Sequence, residues 1–378
     1  MKDYVDAAIL ESIQKSRVLK SKFPRAKDSS LYFDPLISKA TVEIDLMIER
    51  LADLLYDQDY SQPQNLKEKF GKFKSILSEL HVLENIIVAA ISRKHDDDEY
   101  VNKLVRKVCS EIEYPVQPPV VSCLSQHYYQ IFPYYNFMCM PLLEADFLLH
   151  LPDLYHELCH PLISVDNPTT EPLRISMGKL NRDIKKYFNQ EITRLSLNKF
   201  GENNQIQSFY VWRDSWIESW SEEFFCDLFA TYTLGPAFVW SNLHMCAKMD
   251  WNLFGIPYFQ KTSHPPAGAR MQAMFHALDL TGFSQEKKVI EKEWNSFIKV
   301  LDVTPETEYH IALPDQFLQN AATYSLEGIQ VLGCKIASDN PETLVIDTLN
   351  SAWHEFWKNP GGFTVEEQKM VKLLKRAV

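Results

Sequence analysis

The sequence predicts a mainly α fold of the α+β kind, with helical regions at both ends and a small sheet between them. Three observations carry this. Apolar residues recur near the 3.6-residue helical period in the first hundred or so residues and again from residue 151 onward. Between these regions, Tyr114-Pro115 and Pro118-Pro119 interrupt the pattern and open a stretch rich in Val, Tyr, Phe and Ile. The length of 378 residues, at 46% hydrophobic, provides a core of ordinary size without disulfides and two to three structural units.

The first strong periodic stretch is Leu36 to Tyr56, where Ile37, Ala40, Ile44, Met47, Ile48, Leu51, Leu54 and Leu55 share a face. Asp34-Pro35 sets its start. A second runs from about Gln64 to Ser92. The acidic run Asp96-Asp97-Asp98-Glu99 reads as a solvated loop and acidic helix start, and a third helix covers roughly Asp98 to Glu113. These form an N-terminal bundle over 1–114. Val120 to Phe132 reads as a strand, with a second within Tyr134 to Met140. Residues 115–280 then form the central unit and 281–378 a helical C-terminal region, in which Gln285–Leu301 and Pro341–Trp357 are amphipathic. No internal repeat is visible.

Composition excludes several function classes. Lys and Arg number 39 against 50 Asp and Glu, a net charge of −11, which disfavours nucleic-acid and anionic-membrane partners. The seven cysteines are dispersed with no CxxC pair, as expected of reduced thiols in a cytoplasmic protein. The N-terminal residues mix acids and bases without the apolar h-region of a signal peptide. The most apolar short run, Ile86 to Ile91, is far below the roughly 20 residues that span a bilayer. No phosphate-binding glycine loop and no GxSxG elbow are present.

The chemistry-bearing segment is His156-Glu157-Leu158-Cys159-His160, an HExxH pattern. On a helix, residues four apart lie on one face about 6 Å apart along the axis, so both imidazoles reach one metal ion. Glu157 falls beside that ion and can take a proton from metal-activated water. Pro152 and Asp153 mark the helix start. A catalytic zinc needs a third protein ligand and one open position. Downstream, the helical stretch Trp216 to Ala230 carries Glu223 and Asp227 at i,i+4 among Phe224, Phe225, Leu228 and Phe229. Glu223 is the candidate third ligand, and Asp227 the acceptor for an imidazole N–H. Glu218 and Glu222 are expected to face solvent.

HELCH followed by a helical Glu-x-x-x-Asp resembles the gluzincin metallopeptidases over two segments, Leu151–Ile163 and Asp214–Leu234. The resemblance implies a zincin-like catalytic core with a small sheet and one zinc per chain held by His156, His160 and Glu223. It also implies Glu157 as general base, Asp227 as the acid supporting a histidine, and a peptide or protein substrate. Ser263-His264-Pro265-Pro266 with Arg270 resembles the segment after the ligand glutamate in some zincin peptidases. That likeness places His264 where it can donate to a developing oxyanion and Arg270 where it can anchor Asp227 or another buried acid.

Two departures stand out. Pro161 removes the backbone bond to Glu157 and is expected to kink or end the motif helix. The interval between His160 and Glu223 leaves room for an insertion, including Met177 to Thr193, that could cover the cleft. His127, Tyr128 and Tyr129 are weaker cleft candidates, and Tyr232 is expected to pack. The expected function is zinc-dependent peptide hydrolysis. The alternatives are a zincin-derived metal-binding scaffold or regulatory module, and a zinc hydrolase of a non-peptide amide.

Overall fold

The computed structural model describes residues 2–21, 23, 32–92, 96–125, 128–197, 203–249, 252–339 and 343–378. The chain is mainly helical with one small three-stranded sheet. Its buried apolar side chains form two clusters, and the sheet lies between them.

The first cluster belongs to α1 (Lys2–Ser21), α2 (Asp34–Tyr56), α3 (Leu66–Val82) and α4 (Val88–Ile91), the last two joined by a π-turn at Leu83–Ile87. In α2 the buried residues are Leu36, Ala40, Ile44, Met47, Leu51 and Leu54, one stripe at steps of three and four, and Pro35 occupies the first turn.

The segment read as a single strand is two. β1 (Val120–Ser125) runs parallel to β3 (Phe137–Pro141), and β2 (Gln130–Phe132) pairs antiparallel with the other edge of β3. Asn136, at φ 48°, makes the left-handed turn that enters β3. Strand alternation sorts the side chains: Val120, Phe137 and Cys139 enter the first cluster, whereas Val121, Cys123, Met138 and Met140 enter the second. Both faces are buried, which explains the near-continuous apolar sequence there.

The second cluster starts with α5 (Asp96–Glu111). Its Val101, Leu104, Val105 and Val108 pack with the downstream helices, although the sequence grouped this helix with the N-terminal bundle. The acidic run does begin the helix, but Asp98 is not solvated. It is buried, accepting from the Cys123 N–H at 2.7 Å and from the Ser122 hydroxyl, and so ties α5 to β1. The remaining helices are α6 (Asp153–Ser164), α7 (Glu171–Leu197), α8 (Asn203–Ser215), α9 (Ser221–Leu234), α10 (Pro236–Lys248), α11 (Ala267–Leu280), α12 (Ser284–Leu301), α13 (Thr307–Ala312), α14 (Asp315–Leu332), α15 (Leu344–Lys358) and α16 (Phe363–Ala377). A π-turn at Trp216–Trp220 joins α8 to α9. At the end of α5, the buried Glu111 carboxylate accepts from the N–H groups of Leu344, Val345 and Ile346, capping α15 across the fold. No described helix is long and apolar enough to cross a membrane.

Candidate metal centre

α6 buries Leu154, Tyr155, Leu158 and Leu162. That orientation leaves His156, Glu157 and His160 together on the less buried side. Asp153 in its first turn is itself buried, accepting from Ser241 Oγ at 3.2 Å and from the Tyr128 hydroxyl. Pro161 neither ends nor breaks the helix, which continues to Ser164. A proline inside a helix costs about 3 kcal/mol. Burying Leu162 and Ile163 offsets it, since each such side chain contributes about 1.5–3 kcal/mol.

α9 packs against α6 with Phe224, Phe225, Leu228 and Phe229 at 0% exposure, so its polar side chains project from a fixed backbone. His156 Nδ1 meets Asp227 Oδ1 at 2.9 Å, and His160 Nδ1 meets Glu222 Oε1 at 2.9 Å. The partner number falls as the histidine number rises, so the two helices run antiparallel. Glu222, expected in solvent, instead holds His160 and accepts from the Ser164 hydroxyl at 2.7 Å. Antiparallel register explains this: one turn up from His156 on α6 faces about one turn back from Asp227 on α9. Glu218, one turn earlier, is exposed and paired with Lys261.

Each imidazole therefore has its Nδ1 committed to a carboxylate, leaving Nε2 as the atom open to a ligand. His156 Nε2 lies 3.6 Å from Glu223 Oε2, and that oxygen is buried with no hydrogen-bond partner. A buried carboxylate oxygen without a donor is costly unless something cationic meets it. Cys226, which the sequence did not single out, joins the group: His156, His160 and Cys226 offer ligand atoms within 4.8 Å of one another. The signal for it was present, because Cys226 follows Glu223 by one helical turn.

Asp227 is completely buried. Burial alone would push its carboxyl up, but Arg270 and His156 bring it down to about 2. Arg270 Nε and Nη2 each donate to it at 2.6 Å, a two-pronged bond. Burial opposes the charge on His160 too, yet Cys226, Glu222 and Glu157 raise its pKa well above the ordinary imidazole value. Glu222 is held low against burial by His160 and Ser164. Glu157, Glu222, Glu223 and Asp227 outnumber the Arg270 guanidinium and the His160 imidazole, so the acids exceed the cationic groups of the site.

A cleft of about 580 Å³ opens beside this group, reaching His156, Glu157 and Glu223 but not His160, Glu222, Cys226 or Asp227. His156, Glu157, Glu223 and Arg270 line it from the helices, Tyr128 and Tyr129 from the sheet side, and His264 from the segment before α11. None of the described residues of 161–222 lines it. α7, expected as a possible cover, packs instead on α14, α8 and α9. His264 is 64% exposed at its side chain, with Nε2 at 3.7 Å from Glu223 Oε2 and Nδ1 at 2.8 Å from Ser263 Oγ. Indoles hold its segment in place. Trp212 donates to the Pro257 carbonyl at 2.7 Å and Trp220 to Thr262 Oγ1 at 3.1 Å, and Thr262 in turn donates to the His264 carbonyl. At the start of α11, a Cβ on Gly268 would lie 2.4 Å from the Phe254 ring, so only glycine fits this close approach. Tyr232 packs, its hydroxyl donating to the Ala322 carbonyl at 2.6 Å. His127 lies outside the described residues.

The chain matches no protein-family model, no curated protein and no solved structure.

Proposed function

We propose that this chain is a zinc-dependent peptide hydrolase with a zincin-like core over residues 115–280. His156, His160 and Glu223 hold one zinc per chain, and the substrate is a peptide or protein. The observation that carries the reading is the unpartnered Glu223 Oε2, buried 3.6 Å from His156 Nε2, beside two imidazoles whose Nδ1 atoms are both fixed by carboxylates. These donors suit zinc, which takes imidazole nitrogen and carboxylate oxygen. When bound, the metal acidifies water and polarises the scissile carbonyl.

The chain's own groups do the rest. The Glu157 carboxylate accepts the proton of the attacking water and returns it to the departing amine. Asp227 and Glu222 each accept an Nδ1–H, fix the tautomer and strengthen the basicity of the opposite nitrogen. His264 Nε2 donates to the carbonyl oxygen as negative charge develops. Seven free, buried cysteines support a reducing, cytosolic setting.

A second reading has one observation in its favour, the closeness of Cys226 to both imidazoles. A centre of His156, His160 and Cys226 is structural and belongs to a binding scaffold, because of these three only His156 lines the cleft, whereas Glu223 as third ligand brings a second cleft-lining group. Metal analysis separates the two. Glu223→Ala should lose zinc and Cys226→Ser retain it, and the reverse pattern selects the scaffold. Glu157→Gln should keep zinc and fold while hydrolysis of a mixed peptide library collapses. A wild-type protein that cleaves nothing in that library sinks the peptidase reading.

A further inference from the structure

The cleft has a second end with chemistry of its own. Phe238, at the start of α10, stacks on His156 with ring centroids 6.3 Å apart. Asn242, Met245 and Lys248 line the same cleft at successive helical turns. Ten residues separate Phe238 from Lys248, about 15 Å along the helix.

At that far end, Lys248 Nζ donates to His150 Nε2 at 2.9 Å, and His150 Nδ1 bonds Glu144 Oε2 at 2.5 Å. The relay fixes the imidazole: Nδ1–H donates to the carboxylate, so Nε2 keeps its lone pair for the ammonium. Only one of the three ammonium N–H groups is used there. Among the described residues Lys248 makes no ion pair, whereas Arg270, the other cation of the cleft wall, is committed to Asp227. The cleft thus has Glu157 and Glu223 toward one end and the exposed Lys248 ammonium, backed by the His150–Glu144 relay, toward the other, with Phe238, Met245 and Tyr128 giving it apolar sides.

We propose that Lys248, positioned by His150, is a substrate anchor that binds a carboxylate. The preferred substrates are peptides with a carboxylate at one fixed spacing from the bond that is cut, because the anchor and the HExxH residues are held on different elements of one cleft. This rests on the peptide-hydrolase reading of the same cleft. The carboxylate is either the chain terminus or an Asp or Glu side chain, and the test distinguishes them.

The probes are fluorescent ten-residue peptides with a single Glu moved along them, each as free acid and as C-terminal amide. Their binding to the zinc-loaded full chain carrying Glu157→Gln is measured by anisotropy. A correctly placed carboxylate should tighten binding about tenfold, the scale of one charge-assisted hydrogen bond. Lys248→Ala should erase that preference and Lys248→Arg restore it. A preference lost on amidation identifies the terminus, and one that follows the Glu identifies the side chain. In cleavage by wild type, the effect of Lys248→Ala on acidic peptides should appear in KM. A carboxylate preference that survives Lys248→Ala, or none in the parent, overturns the anchor. Lys248-dependent binding with no cleavage by wild type instead leaves the anchor standing and removes the peptidase reading.

Discussion

The two buried clusters treat charge differently. In the cluster built by α1 to α4, ion pairs such as Lys20–Asp45 and Arg50–Glu79 lie on the surface, and Lys69 is the buried ionic side chain among its described residues. In the second cluster Asp98, Glu111, Asp153, Asp227 and Arg270 are all buried and each is met by a named partner. The first region uses charge to keep its outside wet. The second uses charge in a low-dielectric interior to tie elements together, through Asp98 and Glu111, and to orient groups beside the cleft, through Asp153, Asp227 and Arg270. There an interaction is stronger and a lost partner costs more.

That contrast breaks if its largest expected effect is absent. Arg270→Ala leaves the Asp227 carboxylate buried beside His156 with its guanidinium gone, and should lower stability by about 3–5 kcal/mol in denaturant titration. An Arg270→Ala/Asp227→Ala double variant should lose less than the summed single effects.

The next effect is a pH dependence. Burial raises the Asp153 carboxyl to about 6, against the pull of Tyr128, His156, Ser241 and His150. Its folded-state pKa exceeds its unfolded value. The proton therefore favours the folded state, and this contribution is complete below about pH 4 and lost as pH rises through about 6. The loss is on the order of 3 kcal/mol. Asp153→Asn cannot titrate, so the difference in denaturation midpoint between it and wild type should change across pH 4–6. A difference that stays flat contradicts the burial cost.

The smallest effect sharpens the comparison from the other side. Arg50 and Glu79 are close, 2.6 Å at the nearest atoms, yet both side chains are about half exposed. Arg50→Ala should change stability by no more than about 0.5 kcal/mol. A loss near that of Arg270→Ala would show that exposure is not what separates the regions.

Much of this was legible in the residues because the signals are local. The 3.6 spacing marked α2, and Pro152-Asp153 marked the start of α6. HExxH and the Glu223/Asp227 spacing placed five side chains near one another across 71 residues of sequence, the interval of the His156–Asp227 bond. What escaped depends on register and packing between elements. Glu222 is indistinguishable from a solvent-facing acid until the antiparallel alignment of α6 and α9 is known. Asp98 reads as an exposed helix start until β1 is seen against α5. The break between β1 and β2 was hidden because a sheet buried on both faces has no polar alternation to mark its ends. Pro161 misled because the rule for proline is local, whereas the burial that tolerates it is not.

The Glu111 cap on α15 also sets an order in time. Its carboxylate is synthesised 233 residues before the first backbone N–H it accepts from, that of Leu344. Domains fold as units as the chain emerges, and residues arrive at about 5–20 per second. For on the order of ten seconds or more, α5 waits with a charged side chain that must stay hydrated, so its seam cannot close onto a dry interior. The end of α5 thus finishes folding only after residues 344–346 have been made, and a ribosome that stops short of residue 344 releases a chain with that seam open.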